Sequence, residues 1–373
     1  MNRRMRPALI LLAVLFSGTC FAQTNQIISP EVLPDRRVVF RLAATNAQQV
    51  GVFVDWMKTG AREPMVKDNS GVWSVTLGPV QPGIYIYNFV IDELNVADPV
   101  NPKMKLRART SASLLEVPAN PPEYWEARDV PHGTVQINFH KATTLGGETR
   151  EVWVYTPPGY ESDSSRRYPI LYLLHGSNDT PAGWTTAGRA NFTMDNFLAE
   201  KKAREMIIVT PFGHAVPFGS PREVQQKNTA RFEEYLLKDV MPMIEGKYRV
   251  AAGRENRAIG GFSMGGGHAL HIGLGHLDLF SAVAALSAGV PQDFESRFAD
   301  LLKDATGTNQ KLKLFWIGCG KDDFLFEASQ KLTTTLTKHG INHVYRATEG
   351  AHTFNVWRGY FAEIAPLLFR GKE

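Results

Sequence analysis

Residues 259–268 read IGGFSMGGGH, and their reading decides the fold. Ser263 stands in a G-x-S-x-G frame directly behind a short apolar run. A serine hydroxyl is a poor nucleophile until a base takes its proton, and a tight strand-to-helix turn lifts the side chain toward such a base. The turn needs clearance, which Gly261 and Gly265 supply where backbone passes backbone. A strand-like run, RAIG, precedes the pentapeptide and a helix-like run, GGHALHIGL, follows it. The context predicts a strand, a turn and a helix with Ser263 at the tip, a candidate nucleophile.

The flanking sequence repeats that alternation. YPILYLLHG, EMIIVTPFG, FSAVAALSAG and KLKLFWIGCG are continuous apolar runs, as expected for strands buried on both faces of a parallel sheet. Between them Phe232, Leu236, Val240 and Ile244 recur at helical spacing, with Pro242 expected to kink or shorten that helix. Leu325, Ala328, Leu332 and Leu336 form a second such series, closed by Gly340. Strand and helix in alternation from about residue 132 to the end predict a doubly wound α/β domain.

In a sheet of this kind the partners of a nucleophilic serine follow it in the order acid, then histidine. His339, His343 and His352 lie late enough. His339 stands just before Gly340, where a cation complements the helix dipole, and His343 falls in the strand-like INHVYRA. His352, in TEGAHTFNVW, sits in a loop with neither a capping nor a core role, and is the candidate base. WIGCGKDDFLF offers Asp322 and Asp323 just beyond a late strand; spacing does not separate them, and one of them would hold the imidazole in the right tautomer. Two backbone N–H groups for an oxyanion come by position from Met264 and, in LYLLHGSND, from Ser177. Trp184 and Phe262 are candidate walls of an acyl pocket. No histidine pair with metal-site spacing and no phosphate-cradling loop occurs, so no cofactor and no metal are expected.

The first part of the chain has another rhythm. From Val38 to about Val117, RVVFRLA, QVGVFVD, VWSVTL and IYIYNFVI alternate with turn signals, which predicts a small antiparallel β-sandwich over 23–118. Tyr85, Tyr87 and Phe89 share one face of a strand whose other face, Ile84, Ile86 and Val90, is also apolar. Aromatic faces stack on sugar rings, which makes the three candidate glycan-binding residues; an apolar second face packed against the following domain is the favoured reading. Trp56 and Trp73 carry the same ambiguity, with core packing as the default. Residues 119–131, proline-rich and without period, read as a linker to the domain at 132–373.

The opening segment, MNRRMRPALILLAVLFSGTCFAQ, sets Arg3, Arg4 and Arg6 before an apolar run and small residues. It reads as a secretory signal peptide, 1–22, cleaved after about Ala22, so the mature chain is expected to be secreted or periplasmic, with no membrane span. Of 41 basic and 37 acidic residues in the 373-residue chain, the leader takes those three arginines, leaving 38 against 37. The mature protein is nearly neutral, which excludes nucleic acid as a partner. Cys319 is then left without a disulfide partner and reads as a buried thiol.

Taken together, YTPPGY, YLLHGSNDTPAGW, ENRAIGGFSMGGGHAL, WIGCGKDD and INHVYRATEGAHTFNVWR resemble carbohydrate esterase family 1, the α/β-hydrolase group of bacterial feruloyl and acetylxylan esterases. The resemblance implies Ser263 as nucleophile, His352 as base and Asp323, the second Asp of KDD, as acid. NSGVWSVTLGPVQPGIYIYNFVID and ADPVNPK resemble, more weakly, carbohydrate-binding module family 48. The implied function is hydrolysis of feruloyl or related hydroxycinnamoyl esters on plant cell-wall polysaccharide such as arabinoxylan. An acetylxylan esterase, a sugar acyltransferase, or a carbohydrate-binding protein without catalysis are the rival readings.

Overall fold

A computed structural model describes residues 26–58 and 60–370. The leader read in residues 1–22 lies outside the described residues. Among the described residues no helix is long and apolar enough to cross a membrane.

The N-terminal part forms two antiparallel sheets. One runs in the order Glu31–Val32, Val38–Ala43, Val72–Leu77, Val66–Lys67; the other Glu63–Pro64, Val50–Val54, Gly83–Ile91, Ala112–Val117, Met104–Lys105, with Leu94–Val96 paired to Gly83–Ile91. Val38, Phe40, Val52, Trp73 and Leu115 meet between them. Tyr85, Tyr87 and Phe89 are part of this core, and Tyr87 and Phe89 have no exposed surface. This corrects their reading as glycan-binding residues: on a strand with two apolar faces, theirs is the face turned to the opposite sheet. The other face, with Ile84 and Ile86, joins Ala112 and Leu114 in one apolar cluster with Phe262, Phe354 and Trp357 of the second domain. The two domains therefore share a core, and burying these side chains stabilises the contact by about 1.5–3 kcal/mol each. The 119–131 segment is fixed across this junction, because Asn196 Nδ2 donates to the carbonyls of Tyr124 (2.7 Å) and Glu126 (2.9 Å) and Trp125 is buried.

The second domain is built on an eight-stranded sheet. Its order is Thr134–Ala142, Glu148–Thr156, Ile207–Pro211, Ile170–Leu174, Arg257–Phe262, Ala282–Leu286, Leu314–Gly320, Val344–Thr348. The first two pairings are antiparallel and the rest parallel. Ile170–Leu174, Ile207–Pro211 and Ala282–Leu286 are buried along their whole length, which is why their sequences are unbroken apolar runs. Pro242 does not end its helix. Helix Asn228–Tyr235 widens into a π turn over Leu236–Val240 and continues as Met241–Lys247, so Phe232, Leu236, Val240 and Ile244 all stay buried. The wider turn gives the proline ring room against the preceding carbonyls. His343 precedes the Val344–Thr348 strand rather than lying in it, its Nδ1 at 2.9 Å from the Ile341 carbonyl. Because the central strands are parallel, the loops after Ile170–Leu174, Arg257–Phe262, Leu314–Gly320 and Val344–Thr348 leave the sheet at one edge, where such sheets place their ligands.

Candidate active site

Ser263 stands where the Arg257–Phe262 strand reaches that edge.

 It follows the strand directly and occupies φ 56°, ψ −119°, a conformation side chains rarely adopt. The turn is held from both sides. The Ser263 N–H points at the carbonyls of Leu286 (3.0 Å) and Ser287 (3.1 Å), and its own carbonyl accepts from the N–H groups of Gly267 and Gly289 (both 3.0 Å). Helix Met264–Gly275 begins at the next residue. A side chain at Gly265 would put Cβ 2.6 Å from the His175 carbonyl oxygen and 2.7 Å from that of Leu174, so only glycine lets the helix start so close to the neighbouring strand. The Met264 N–H is in the first turn, where no intrahelical acceptor exists and the dipole is positive. Its thioether turns toward Asn228 Nδ2 at 3.7 Å.

His352 lies between strand Val344–Thr348 and helix Phe354–Ile364. Its Nδ1 is 2.8 Å from Asp323 Oδ2, and the Asp323 side chain is fully buried while 21% of the His352 side chain remains exposed. The second oxygen, Oδ1, accepts from the Leu325 N–H at 2.9 Å. Burial pushes the Asp323 carboxyl up, but the hydrogen bond and charge of His352 and the Leu325 N–H outweigh it and hold the group below the usual carboxylate range. Asp322, which spacing could not tell from Asp323, is exposed and directs its N–H to the Gly350 carbonyl at 3.1 Å. A Cβ on Gly320 would meet that Gly350 oxygen at 2.1 Å, so a bare glycine lets the acid loop and the histidine loop touch. The imidazole is flanked by Phe324 (ring centres 4.6 Å) and, edge to face, by Trp357 (4.8 Å).

Ser263, His352 and Ser177 line one cavity of about 430 Å³. Phe262 lines it too, stacked on Trp357 at 3.9 Å with ring planes 15° apart. Trp184 does not line it. This residue is 1% exposed, packs edge to face behind Phe262 at 5.5 Å and donates from Nε1 to the Leu174 carbonyl at 3.1 Å. Its reading as a pocket wall is corrected: it supports the wall from inside the core. His175 packs in the loop that carries Ser177; the Gly213 N–H donates to its Nε2 at 2.9 Å, and burial depresses its pKa to about 4, so it stays neutral. Cys319 is a buried free thiol.

The N-terminal domain builds the opposite wall, to which Phe53, Asp55, Met57, Lys105 and Arg107 belong, and no motif or spacing signals it. Lys105 forms a buried ion pair with Asp179, two residues beyond Ser177 in the same loop. Nothing in either segment signals this pair, whose members are 74 residues apart. Replacing Lys105 with methionine would strip the buried Asp179 carboxylate of its ion-pair partner and leave only the charge of Arg107 acting on it, an expected loss of about 3–5 kcal/mol. Denaturant unfolding of the full chain measures it, and a change under about 1 kcal/mol would show that the pair does not tie the domains together. Among the described residues no group of three or more His, Cys, Asp or Glu side chains is arranged to hold a metal ion.

The chain is similar to known esterases. Residues 143–368 match the model of the family described as "Putative esterase". The chain is 31% identical, over 89% of its length, to an endo-1,4-beta-xylanase/feruloyl esterase of Xylanibacter ruminicola, but spans only 44% of that relative. Among solved structures, a ferulic acid esterase superposes with a TM-score of 0.56 at 29% identity, covering 64% of this chain and 98% of its own. Enterochelin esterase from Shigella flexneri superposes with a TM-score of 0.65 over 91% of this chain and 94% of its own; at 17% identity the likeness is one of fold. With a family match across most of the second domain, the chain belongs to the esterase family.

Proposed function

We propose that the protein is an exported serine ester hydrolase that removes hydroxycinnamoyl groups, feruloyl foremost, from plant cell-wall polysaccharide such as arabinoxylan. Ser263 attacks the ester carbonyl as His352 Nε2 takes its proton, and Asp323 holds the imidazole with Nδ1–H toward itself and stabilises the charge it gains. The oxyanion is met by the Met264 and Ser177 N–H groups. The sugar alcohol leaves with the proton from His352. Water then gives its proton to the same histidine, attacks the acyl-enzyme and releases the free acid.

The observation that carries this reading is the 2.8 Å pairing of His352 with the buried Asp323 on the cavity that Ser263 also lines. Phe262, Phe324, Phe354 and Trp357 on that cavity favour an aromatic acyl group over acetyl. The exported state rests on the leader read in residues 1–22. Product analysis with methyl ferulate, methyl p-coumarate and acetylated xylan side by side tests the substrate. Ferulate and coumarate are expected as the main products; release of acetate alone would overturn the hydroxycinnamate reading, and release of nothing would overturn the hydrolase itself.

A further inference from the structure

The Asp179 N–H donates to the Gly176 carbonyl at 3.1 Å, which closes a tight turn with Ser177 and Asn178 at its tip. The direction of the Ser177 N–H therefore depends on where Asp179 is fixed. Two contacts within the second domain hold the Asp179 side chain: Oδ1 accepts from the Thr180 N–H at 2.7 Å, and the carboxylate lies against Gly183, where a Cβ would collide with both oxygens. The third contact comes from the other domain. Lys105, at the end of strand Met104–Lys105, pairs its ammonium group with Asp179, and both side chains are buried.

Lys105 reaches the histidine side of the cavity as well. Its Nζ lies 5.2 Å from the ring centre of Phe354, the first residue of the helix that follows His352, and donates to the Leu106 carbonyl at 3.2 Å. One side chain of the N-terminal domain thus touches the loop that carries Ser177 and the helix behind His352, and all of these residues except Leu106 wall the Ser263 cavity. Stability alone does not call for an ion pair here, because taking both charges out of water is costly and an apolar pair of similar volume would hold the contact as well or better. What the pair adds is a fixed place for the carboxylate, and with it for the turn.

We propose that Lys105 is a positioning residue for the ester cleavage: through Asp179 it fixes the turn whose Ser177 N–H meets the oxyanion, so the N-terminal domain serves the chemistry without touching the reacting atoms. The inference rests on the hydrolase reading, with Ser177 as one of the two oxyanion donors. Such a donor works only where it meets the oxygen of the tetrahedral state, and losing one costs about 10²–10³ in kcat. A displacement of about 1 Å costs about 10².

The test measures kcat and KM on methyl ferulate, with urea unfolding alongside, in the parent chain, in Lys105→Met and in the double variant Lys105→Met/Asp179→Asn. The double variant removes both charges and keeps an acceptor for the Thr180 N–H, so it is expected to regain most of the stability that Lys105→Met loses. Both variants are expected to lose about 10²-fold in kcat, with KM changed by less than about threefold. If kcat returns to the parent value together with stability, the pair is merely structural and the proposal falls; should Lys105→Met not fold, the double variant decides alone. Calorimetry with phenylboronic acid reads the same placement without turnover. The Ser263 oxygen bonds to boron as its proton passes to His352, and the tetrahedral adduct sets an oxygen where the oxyanion forms. Boronate affinity is expected to fall about 10²-fold in the double variant while the affinity for ferulate changes by less than about threefold; equal changes in the two, or none, overturn the proposal. A parent chain that binds the boronate but leaves methyl ferulate intact defeats the hydroxycinnamate reading alone, whereas one that does neither defeats the hydrolase reading and this inference with it.

Discussion

Replacing Ser263 with alanine is expected to lower kcat on methyl ferulate by about 10⁴- to 10⁶-fold, measured by chromatographic release of ferulate. The size follows from what stays behind. Alanine keeps a Cβ in the same strained turn, and the bonds that hold it run through backbone atoms of Ser263, Leu286, Ser287, Gly267 and Gly289, so the cavity and the N–H groups around it persist. Only the atom that bonds to the acyl carbon is lost. Substrate binding and oxyanion contacts alone still leave about 10³–10⁴ over water, which is why the residual rate is not zero. His352→Ala is expected to cost a similar amount, and the double variant little more, because the two residues act as one unit. A loss below about tenfold for Ser263→Ala would mean that some other group carries the acyl transfer.

The second large effect separates two neighbouring carboxylates. Asp323→Asn is expected to lower kcat by about 10⁴-fold, and Asp322→Asn by less than tenfold. Asp323 receives the Leu325 N–H on one oxygen and faces His352 Nδ1 with the other. With asparagine the Leu325 N–H keeps the carbonyl oxygen, so the amide NH₂ falls opposite Nδ1 and donates to it. The ring proton then moves to Nε2, the position that must be empty to accept the serine proton. Asp322 is exposed, and its fixed contact is made by its backbone N–H. Steady-state kinetics of both variants on one substrate reads the difference; equal losses would contradict the assignment of Asp323.

What the sequence made legible was local. The glycines around Ser263, the unbroken apolar strands and the serine, acid, histidine order each follow from constraints within a few residues, and they were enough to read the α/β sheet and to single out Ser263 and His352. Asp322 and Asp323 share one turn, and only the placement of the Leu325 N–H and the His352 loop tells them apart. Tyr85, Tyr87 and Phe89 stood as glycan-binding candidates because a strand apolar on both faces does not say which face meets the opposite sheet, whereas the favoured reading, a second face of Ile84 and Ile86 packed against the following domain, holds. Trp184 was misplaced for a related reason, since a tryptophan near an active-site loop in sequence can stand before or behind the wall. Asp55, Lys105 and Arg107 were missed because they reach the cleft only through the contact between the two domains, and no periodicity records a contact over such separations.

The proton-transfer line through residues 263, 352 and 323 is tested most directly by mapping the covalent adduct of an aryl phosphonate ester on the intact chain by mass spectrometry. One adduct per chain is expected, on Ser263, formed in the parent protein, absent in Ser263→Ala and formed far more slowly in His352→Ala and Asp323→Asn. An adduct on another residue, or hydrolysis that continues after Ser263 has been fully modified, would contradict it.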